Sequence, residues 1–372
     1  MKKIEILEKK TVCRVPGSYL GWPTITQAPN KDLLTVFSGE RFGHVGMKGS
    51  VQMVRSKDNG QSWGDPVTIT DTPLSDGSTG IMTTAAGTVI MTFSTEYYHP
   101  DDPRFSDDSV YGKAGFFKDK EKWRPYAEKV TDEDLEKWMG KRSADNRFHF
   151  EIGKWLRRST DNGFTWEDPI RVAADSTCGP VQLSDGSLLY PGHGDPEHLV
   201  IQHSFDDGKS WEITVMLDSR IDAKNGYLCE PHAVETDEGR VIIMFRYEIR
   251  DVHYKSVLWQ AESVDRGKTW SRPHPTNVLG EPPHLLKLKN GSLLLTYGRR
   301  RDPFSERACF SHDGGRTWDI ANEVILHEHA FGDFGYPASV ELDDGTIITV
   351  YYGREKADEL QCISATYWRP LG

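Results

Sequence analysis

An eight-residue motif of the form Ser-x-Asp-x-Gly-x-Ser/Thr-Trp occurs five times in the chain. Its copies are SKDNGQSW from Ser56, STDNGFTW from Ser159, SFDDGKSW from Ser204, SVDRGKTW from Ser263 and SHDGGRTW from Ser311. A catalytic centre is seldom repeated five times, so we interpret the motif as architectural. Its aspartate can accept hydrogen bonds from turn amides, its glycine can adopt a positive φ, and its tryptophan can pin a hairpin to its neighbour.

A second regularity precedes these copies: an apolar strand, a turn of the Asp-Gly type and another apolar strand. Four versions are clear and two are degenerate: AVETDEGRVIIMF, LLKLKNGSLLLTY, SVELDDGTIITVY, VQLSDGSLLYP, TITQAPNKDLLTVF and MTTAAGTVIMTF. All but the last hairpin in the chain lead through a third strand into a copy of the motif. A four-stranded unit repeated every ~50 residues is typical of a β-propeller. The sequence therefore predicts an all-β fold, a six-bladed β-propeller.

The two ends of the chain are predicted to complete one blade together. The sixth unit ends at QCISATYWRPLG, a third strand without a motif or a fourth strand after it, and such an edge has to be covered. The opening IEILEKKTV is similar to the strands that follow the motifs, so we expect it to supply the missing outer strand. Residues 1–372 are then interpreted as one propeller domain.

Composition and charge narrow the class of protein. The net charge is −11 with scattered basic residues, which argues against nucleic acid and against an anionic membrane as partner. No secretory leader and no apolar run long enough to span a bilayer is visible, so we expect a cytoplasmic protein. The five cysteines have no metal-site or disulfide spacing. We assign no metal and no cofactor, and the oligomeric state stays open.

Blade topology predicts which face carries function. With strands lettered A to D from the axis outwards, the hairpin turns and the motifs share one face, so functional residues belong at the starts of A strands and the ends of B strands. Alignment of the six hairpins gives equivalent A-strand starts at Trp22, Ser78, Thr177, Glu230, Pro282 and Tyr336. Near or just beyond the B-strand ends lie His193, Arg246, Arg299, Glu40, Glu96 and Glu355. A rim so rich in aromatic, arginine and carboxylate groups is typical of a sugar site.

The longest irregular stretch, from about residue 97 to 150, interrupts blade 2 between its B and C strands. We therefore expect it on the functional face. Its segment VTDEDLEKWMG predicts a short helix capped by Thr131 and ended by Gly140. The aromatic residues of this partly helical insertion either pack it against itself or build a lid over the site. These residues are Phe116, Phe117, Trp123, Tyr126, Trp138 and Phe148.

The motifs resemble the Asp boxes of the sialidase (neuraminidase) superfamily, whose members are six-bladed propellers. Sialidases hold a sugar carboxylate with three arginines, attack with a tyrosine that a glutamate activates, and protonate the leaving group with an aspartate. The resemblance implies Tyr336 as nucleophile, Glu230 as its activating base and Arg246 as the second arginine. It also implies that the third arginine is Arg299 or Arg300 and that Glu355 is the glutamate that braces the first arginine.

Two positions depart from the sialidase pattern. Gly21-Trp22-Pro23 stands where the family has Arg-Ile-Pro, so the first arginine is missing and Trp22 offers an aromatic face for a sugar ring instead. The loop SGERFGHVGMKG of blade 1 lacks the acid aspartate. Its candidates for the general acid are His44 and Glu40, and Arg41 is the residue that could reach in to substitute for the missing arginine.

Three functions fit this pattern, all with a carbohydrate as partner. The first is an exo-acting glycoside hydrolase on an acidic or deoxy sugar, with Tyr336 and Glu230 as the nucleophilic pair. The second is a uronate lyase in which His44 and Tyr336 serve as base and acid. The third is a glycan-binding propeller without catalysis. In each case Arg246, Arg299, Arg300, Trp22, Arg41, Glu355 and His193 are the predicted substrate-binding residues.

Overall fold

The structure is a computed structural model that describes residues 4–102, 106, 120–139, 151–195, 197–221, 226–249 and 257–371. Twenty-four strands form six antiparallel sheets of four strands each. The strands are β1 (Ile4–Cys13), β2 (Tyr19–Gln27), β3 (Leu33–Arg41), β4 (Ser50–Ser56), β5 (Val67–Thr70), β6 (Ser75–Thr83), β7 (Val89–Glu96), β8 (Glu151–Ser159), β9 (Ile170–Arg171), β10 (Val181–Gln182), β11 (Leu188–Asp195), β12 (His198–Ser204), β13 (Glu212–Asp218), β14 (Gly226–Glu235), β15 (Val241–Ile249), β16 (Val257–Ser263), β17 (His274–Leu279), β18 (Pro283–Lys287), β19 (Leu293–Arg299), β20 (Ser305–Ser311), β21 (Val324–Glu328), β22 (Gly335–Glu341), β23 (Ile347–Gly353) and β24 (Cys362–Pro370). The predicted six-bladed propeller is confirmed.

The sixth blade contains strands from both ends of the chain. Its sheet has the order β1-β24-β23-β22, and β1 runs antiparallel to β24 with Ile4 opposite Pro370 and Cys13 opposite Ile363. The N-terminal strand therefore covers the outer edge of β24, whose backbone groups would otherwise be unpaired.

The core is divided among the six interfaces between neighbouring blades. A separate cluster of buried apolar side chains fills each interface, including the one that joins blade 6 to blade 1. In that last cluster Phe37 and Leu20 of blade 1 pack with Val350 and Tyr352 of blade 6. Because the first blade packs against the last in the same manner as any other pair, the ring is closed.

The five motifs form the same hydrogen-bonded turn. In the last copy, Asp313 Oδ1 accepts from the Ser311 hydroxyl at 2.8 Å and from the Thr317 amide at 3.0 Å, while Oδ2 accepts from the Thr317 hydroxyl at 2.6 Å. The equivalent aspartates are Asp58, Asp161, Asp206 and Asp265. The residue before the glycine also has a positive φ, of 57–68°, in all five copies. This explains why Asn, Asp or Gly stands there in four of them.

Strand register places the motifs and the site residues at opposite ends of each blade. In blade 1 Leu33 pairs with Ser56, the first motif residue, whereas Arg41 at the other end of the same strand pairs with Tyr19. In blade 4 Val241 pairs with Ser263, whereas Arg246 pairs with Cys229. The motifs thus lie on the face opposite the predicted site.

Part of the insertion in blade 2 is described, and it contains two helices, α1 (Lys120–Ala127) and α2 (Asp132–Met139). Thr131 caps α2, since its hydroxyl accepts from the Asp134 amide at 3.1 Å and its own amide donates to Asp134 Oδ2 at 2.9 Å. Trp123 is 1% exposed and packs in a cluster with Met47 and Tyr97. The predicted residues Phe116, Phe117, Gly140 and Phe148 lie outside the described residues.

The α1 helix packs against the loop between β3 and β4. A Cβ atom on Gly46 of that loop would lie 2.7 Å from a ring carbon of Trp123, so the tryptophan requires glycine there. The insertion therefore rests on the loop of blade 1 that carries His44, on the predicted functional face. None of the helices in the described ranges is long and apolar enough to cross a membrane.

Candidate active site

Four of the six aligned A-strand starts are β-bulges with the same backbone conformation. Trp22, Ser78, Glu230 and Tyr336 have φ values of 54°, 52°, 46° and 54°, and the strand register shifts at each of them. A bulge adds a residue to one strand and re-aims its side chain, and strained positive φ values in side-chain-bearing residues cluster at functional sites. The repeat thus places one re-aimed side chain at the start of the A strand in four of the six blades.

Two of these bulge residues are in direct contact across the propeller. The Tyr336 hydroxyl of blade 6 donates a hydrogen bond to Glu230 Oε1 of blade 4. The other oxygen, Glu230 Oε2, accepts from Arg246 Nη1 at 2.8 Å. Tyr336 is 8% exposed, and the Glu230 side chain is 18% exposed. A phenol, a carboxylate and a guanidinium therefore form one chain of hydrogen bonds at the rim of a pocket.

Arg246 is shared among three carboxylates. Besides Glu230, its Nη2 contacts Glu248 and its Nε lies 2.8 Å from Glu281 Oε2. The side chains of Arg246 and Glu281 are 9% and 8% exposed. The sequence predicts Arg246 as an arginine that faces substrate, but here its guanidinium is already paired with one buried and two partly exposed carboxylates. Glu248 and Glu281 were missed because neither falls at an aligned hairpin position.

The protonation states of the pair follow from these contacts. Burial opposes ionisation of Glu230, but the charges of Arg246 and Arg300 and the hydrogen bonds from Tyr336 and Arg246 hold its pKa below the usual value. Burial and the negative charge of Glu230 raise the pKa of Tyr336 well above that of a free phenol. The resting state is a neutral phenol that donates to an ionised carboxylate.

Arg300, rather than Arg299, borders this pair. Its guanidinium lies 5.2 Å from the centre of the Tyr336 ring, and its Nε donates to the Phe334 carbonyl at 3.0 Å. Its Nη2 is buried with no hydrogen-bond partner among the described residues. Arg299, one residue earlier, is half-buried and forms no hydrogen bond or ion pair within the described ranges. Of the two arginines predicted as alternatives, Arg300 is placed to meet an anion.

Aromatic rings line the pocket on the side of blade 1. The Trp22 ring lies 6.4 Å from the Tyr336 ring and 6.0 Å from both Tyr19 and Tyr352. Arg41 sits against the Trp22 ring at 5.1 Å, and it is 4% exposed. Its guanidinium donates to the hydroxyls of Ser38 and Ser75 and to the His44 carbonyl. Arg41 therefore packs against Trp22 and holds the backbone of the loop that carries His44.

His44 meets an aspartate that sequence reasoning missed. Its ring lies 5.0 Å from Trp22, and its Nδ1 is 3.0 Å from the Tyr19 hydroxyl and 3.2 Å from Asp333 Oδ1. Asp333 belongs to the connection between β21 and β22, three residues before Tyr336. Connections that lead into A strands lie on the functional face. The position of Asp333 in the connection FGDFGYP could therefore have indicated a site residue.

Of the remaining predicted site residues, some lie beside the Tyr336–Glu230 pair and others lie away from it. His193 is adjacent to the pair, because its Nε2 accepts from the Glu230 amide at 3.4 Å. The Glu40 carboxylate accepts from Lys48 at 3.1 Å and is 40% exposed. Glu355 is exposed and lines a small cavity with His327, His329 and Tyr351. Tyr352 contacts Tyr336 on one side of the blade 6 sheet, whereas Tyr351 contacts His327 of blade 5 on the other side. Because Glu355 shares a cavity with Tyr351, it lies on the side away from Tyr336.

Metal-binding groups do not converge in the parts of the chain that the structure describes. No group of three or more His, Cys, Asp or Glu side chains there could hold an ion. The rings of His232 and His284, which lie at equivalent positions of neighbouring blades, stack at 4.5 Å instead, and His232 Nδ1 accepts from the Leu285 amide at 2.9 Å. Burial keeps both rings neutral by lowering their pKa values, that of His284 to about 3.

Comparison with known proteins identifies the family. Residues 134–349, more than half of the chain, match the family described as the BNR repeat-like domain. The chain belongs to the BNR repeat-like family. The predicted place in the sialidase superfamily is confirmed as well.

Two curated relatives of this BNR repeat-like chain are sialidases. One, from Paraclostridium sordellii, is 24% identical over 180 residues, which are 38% of this chain and 45% of the relative. The other, from Bacteroides fragilis (strain YCH46), is 25% identical over 223 residues, which are 53% of this chain and 38% of the relative. The chain thus matches less than half the length of either relative.

Solved structures share the propeller of the BNR repeat-like chain. A protein of unknown function from Dyadobacter fermentans superimposes with a TM-score of 0.77 at 19% identity, covering 100% of both chains. The Hadza microbial sialidase Hz136 gives a TM-score of 0.65 at 17% identity, covering 95% of this chain and 66% of its own. At these identities the likeness concerns the fold.

Proposed function

We propose that the protein is an exo-acting glycoside hydrolase of the sialidase type, with Tyr336 as nucleophile and Glu230 as its base. One observation carries the proposal: the Tyr336 hydroxyl donates to the Glu230 carboxylate within a buried rim of aromatic and arginine side chains. The two curated sialidases support the reaction class. A tyrosine activated by a carboxylate is the nucleophile that suits an anomeric carbon already carrying negative charge nearby.

The first step forms a covalent glycosyl–tyrosine bond. The Tyr336 oxygen attacks the anomeric carbon while the phenol proton passes to Glu230, and the bond to the leaving oxygen breaks. Protonated His44 gives the leaving oxygen a proton. In the second step water attacks the anomeric carbon and gives a proton to His44, while the Tyr336 oxygen departs and regains its proton from Glu230.

The high pKa of Tyr336 agrees with this order of events. A phenolate beside ionised Glu230 would be repelled before substrate arrives, so the proton is expected to leave only as the bond to carbon forms. Arg246 keeps Glu230 ionised and therefore ready to accept it.

For the substrate we propose an acidic or deoxy sugar whose ring stacks on Trp22. Any acidic group would meet Arg300, whose Nη2 has no protein partner among the described residues. Because Arg246 is occupied by Glu230, Glu248 and Glu281, a carboxylate would be held by fewer arginines than in sialidases. We therefore expect weak affinity for ordinary sialic acid.

The test compares Tyr336→Phe with Tyr351→Phe on a panel of aryl glycosides of acidic and deoxy sugars. Tyr351 is a fully buried phenol of the neighbouring strand β23 and bonds to Thr366, so its variant controls for lost packing. We expect Tyr336→Phe to lose about 10²-fold or more in kcat with little change in binding, and Tyr351→Phe to stay active. A 2-fluoro glycoside should add one sugar mass to Tyr336 in the wild type.

Three results would contradict the proposal. Full activity of Tyr336→Phe would remove the tyrosine mechanism. An unsaturated product that absorbs in the ultraviolet would identify a lyase. Binding without turnover on every sugar of the panel would identify a glycan-binding propeller.

A further inference from the structure

The environment of His44 is assembled from two blades that are distant in sequence. His44 lies in the loop between β3 and β4 of blade 1, and its Nδ1 is 3.2 Å from Asp333 Oδ1 of blade 6. The side chains of His44 and Asp333 are 21% and 30% exposed, so both remain partly accessible to solvent while making this contact. The contact joins the loop that carries His44, the predicted general acid, to the segment that carries Tyr336.

Asp333 is held as an anion by fixed donors. Tyr352 donates to its Oδ1 at 3.0 Å, Gln361 Nε2 donates to its Oδ2 at 2.9 Å, and the Tyr19 hydroxyl is 3.2 Å from both oxygens. Tyr19 and Tyr352 are almost completely buried, so these donors have little freedom to turn away. Burial opposes ionisation, yet the charge and hydrogen bond of His44 and the charge of Arg300 lower the pKa of Asp333.

We propose that Asp333 is a positioning residue that acts through His44, so that the acid of the reaction is a histidine–aspartate pair built from blades 1 and 6. This inference rests on the proposed function. A carboxylate at Nδ1 holds the imidazole ring in one orientation and stabilises its protonated form, which is the form that gives a proton to the leaving group. Proton transfer then falls to Nε2, across the ring from Asp333.

The surroundings of His44 support a fixed orientation. Trp22 meets the ring edge-on at 5.0 Å and 73°, Tyr19 contacts Nδ1, and Arg41 holds the backbone carbonyl at 3.1 Å. In the described part of the chain, the charged groups near the pair include Arg41 behind the loop and Arg300 beyond Asp333. Because Asp333 and Tyr336 are three residues apart, one short segment would align the acid and the nucleophile on the same sugar.

The experiment replaces the carboxylate with its neutral isostere, Asp333→Asn, and uses the surface change Asp343→Asn as control. Asp343 forms ion pairs with exposed Lys31 and Lys289. It lies in the turn between β22 and β23, at the end of blade 6 opposite the candidate site. In Asp333→Asn we expect the ¹⁵N NMR signals of the His44 ring to move, because a carboxylate no longer lies at Nδ1 to fix the tautomer of the ring. Asp343→Asn should leave those signals in place.

Activity provides a second readout that a merely structural role would not move. Asp333→Asn and His44→Gln should both lose about 10²-fold in kcat/KM on aryl glycosides with poor leaving groups, yet retain most of kcat/KM on a dinitrophenyl glycoside, whose first step needs no proton. On the dinitrophenyl glycoside kcat and KM should fall together, because the second step still needs His44 as its base. Asp333→Ser is a second variant that removes the charge with a smaller side chain, should Asp333→Asn fail to fold.

The outcomes separate this inference from the proposed function. Unchanged His44 ring signals in both Asp333 variants overturn the histidine–aspartate pair, whatever their activity. Equal losses of kcat/KM on good and poor leaving groups also overturn it. Moved His44 ring signals together with full activity of Tyr336→Phe would retain the pair and reject the tyrosine mechanism.

Discussion

At the scale of single residues, Arg246 has the most demanding environment in the site. One buried guanidinium lies against the carboxylates of Glu230, Glu248 and Glu281, and Glu248 also accepts from the Tyr227 hydroxyl. Buried carboxylates repel one another unless a cation is shared among them. Arg246 therefore maintains the fold of the site as well as the ionised state of Glu230.

Arg246→Ala should lower the free energy of unfolding by about 3–5 kcal/mol at neutral pH, because it leaves the buried carboxylate of Glu281 and the partly buried ones of Glu230 and Glu248 without their shared cation. Denaturant unfolding followed by tryptophan fluorescence measures this. Arg299→Ala is the matched control, since this half-buried arginine has no ion pair among the described residues, and its effect should stay within about 0.5 kcal/mol. Equal stability of both variants would show that the carboxylates tolerate being unpaired.

At the scale of elements, the Asp-box turns are hydrogen-bonded units whose aspartates must be ionised. Asp58, Asp161, Asp206, Asp265 and Asp313 each have a pKa lowered from 3.8 to about 2. Hydroxyl and amide donors within each turn lower these pKa values. Burial raises them, and it is the largest single influence in Asp206 and Asp313. The folded pKa lies below the unfolded one, so this contribution to stability is complete above about pH 4 and is lost as the pH falls towards 2.

Asp313→Asn should cost about 1–3 kcal/mol of unfolding free energy at neutral pH, because it weakens the hydrogen bonds of one turn. It should also make the unfolding free energy depend less steeply on pH between 4 and 2. Acid titrations of the wild type and the variant, monitored by circular dichroism, give both quantities. Asp237→Asn, which removes an exposed ion pair with Lys287, should have almost no effect. A pH dependence identical to that of the wild type would contradict the proposed role of Asp313.

At the scale of the whole molecule, closure of the ring depends on a strand taken from the other end of the chain. Strand β1 pairs along the whole of β24, and Ile4 and Val12 belong to the apolar clusters on the two sides of blade 6. Without β1, the outer edge of β24 would present unpaired backbone groups, and both clusters would lose side chains.

Deletion of residues 1–13 should lower the melting temperature and promote concentration-dependent association, since an open strand edge can pair with another copy. Differential scanning calorimetry and light scattering measure the two effects, with deletion of residues 1–3 as control. A synthetic peptide of residues 1–13 added in excess should restore the melting temperature by pairing with β24. Unchanged melting of the long deletion would show that ring closure does not depend on β1.

The sequence by itself determined the fold and part of the site. Repeated turn chemistry and strand alternation are local patterns, so they predict six blades, the closing strand and the alignment of Trp22, Glu230 and Tyr336. The same repeat explains why Tyr336 and Glu230 meet, because equivalent bulges of different blades converge on one axis.

Only the tertiary structure decided the partners of these residues. The contact between His44 and Asp333 joins positions 289 residues apart, and no local pattern encodes it. The direction in which each side chain points at the end of its strand decides which of Arg299 and Arg300 borders Tyr336. It also decides which carboxylates surround Arg246. Such contacts form between loops and bulges of different blades, where packing rather than periodicity sets the geometry.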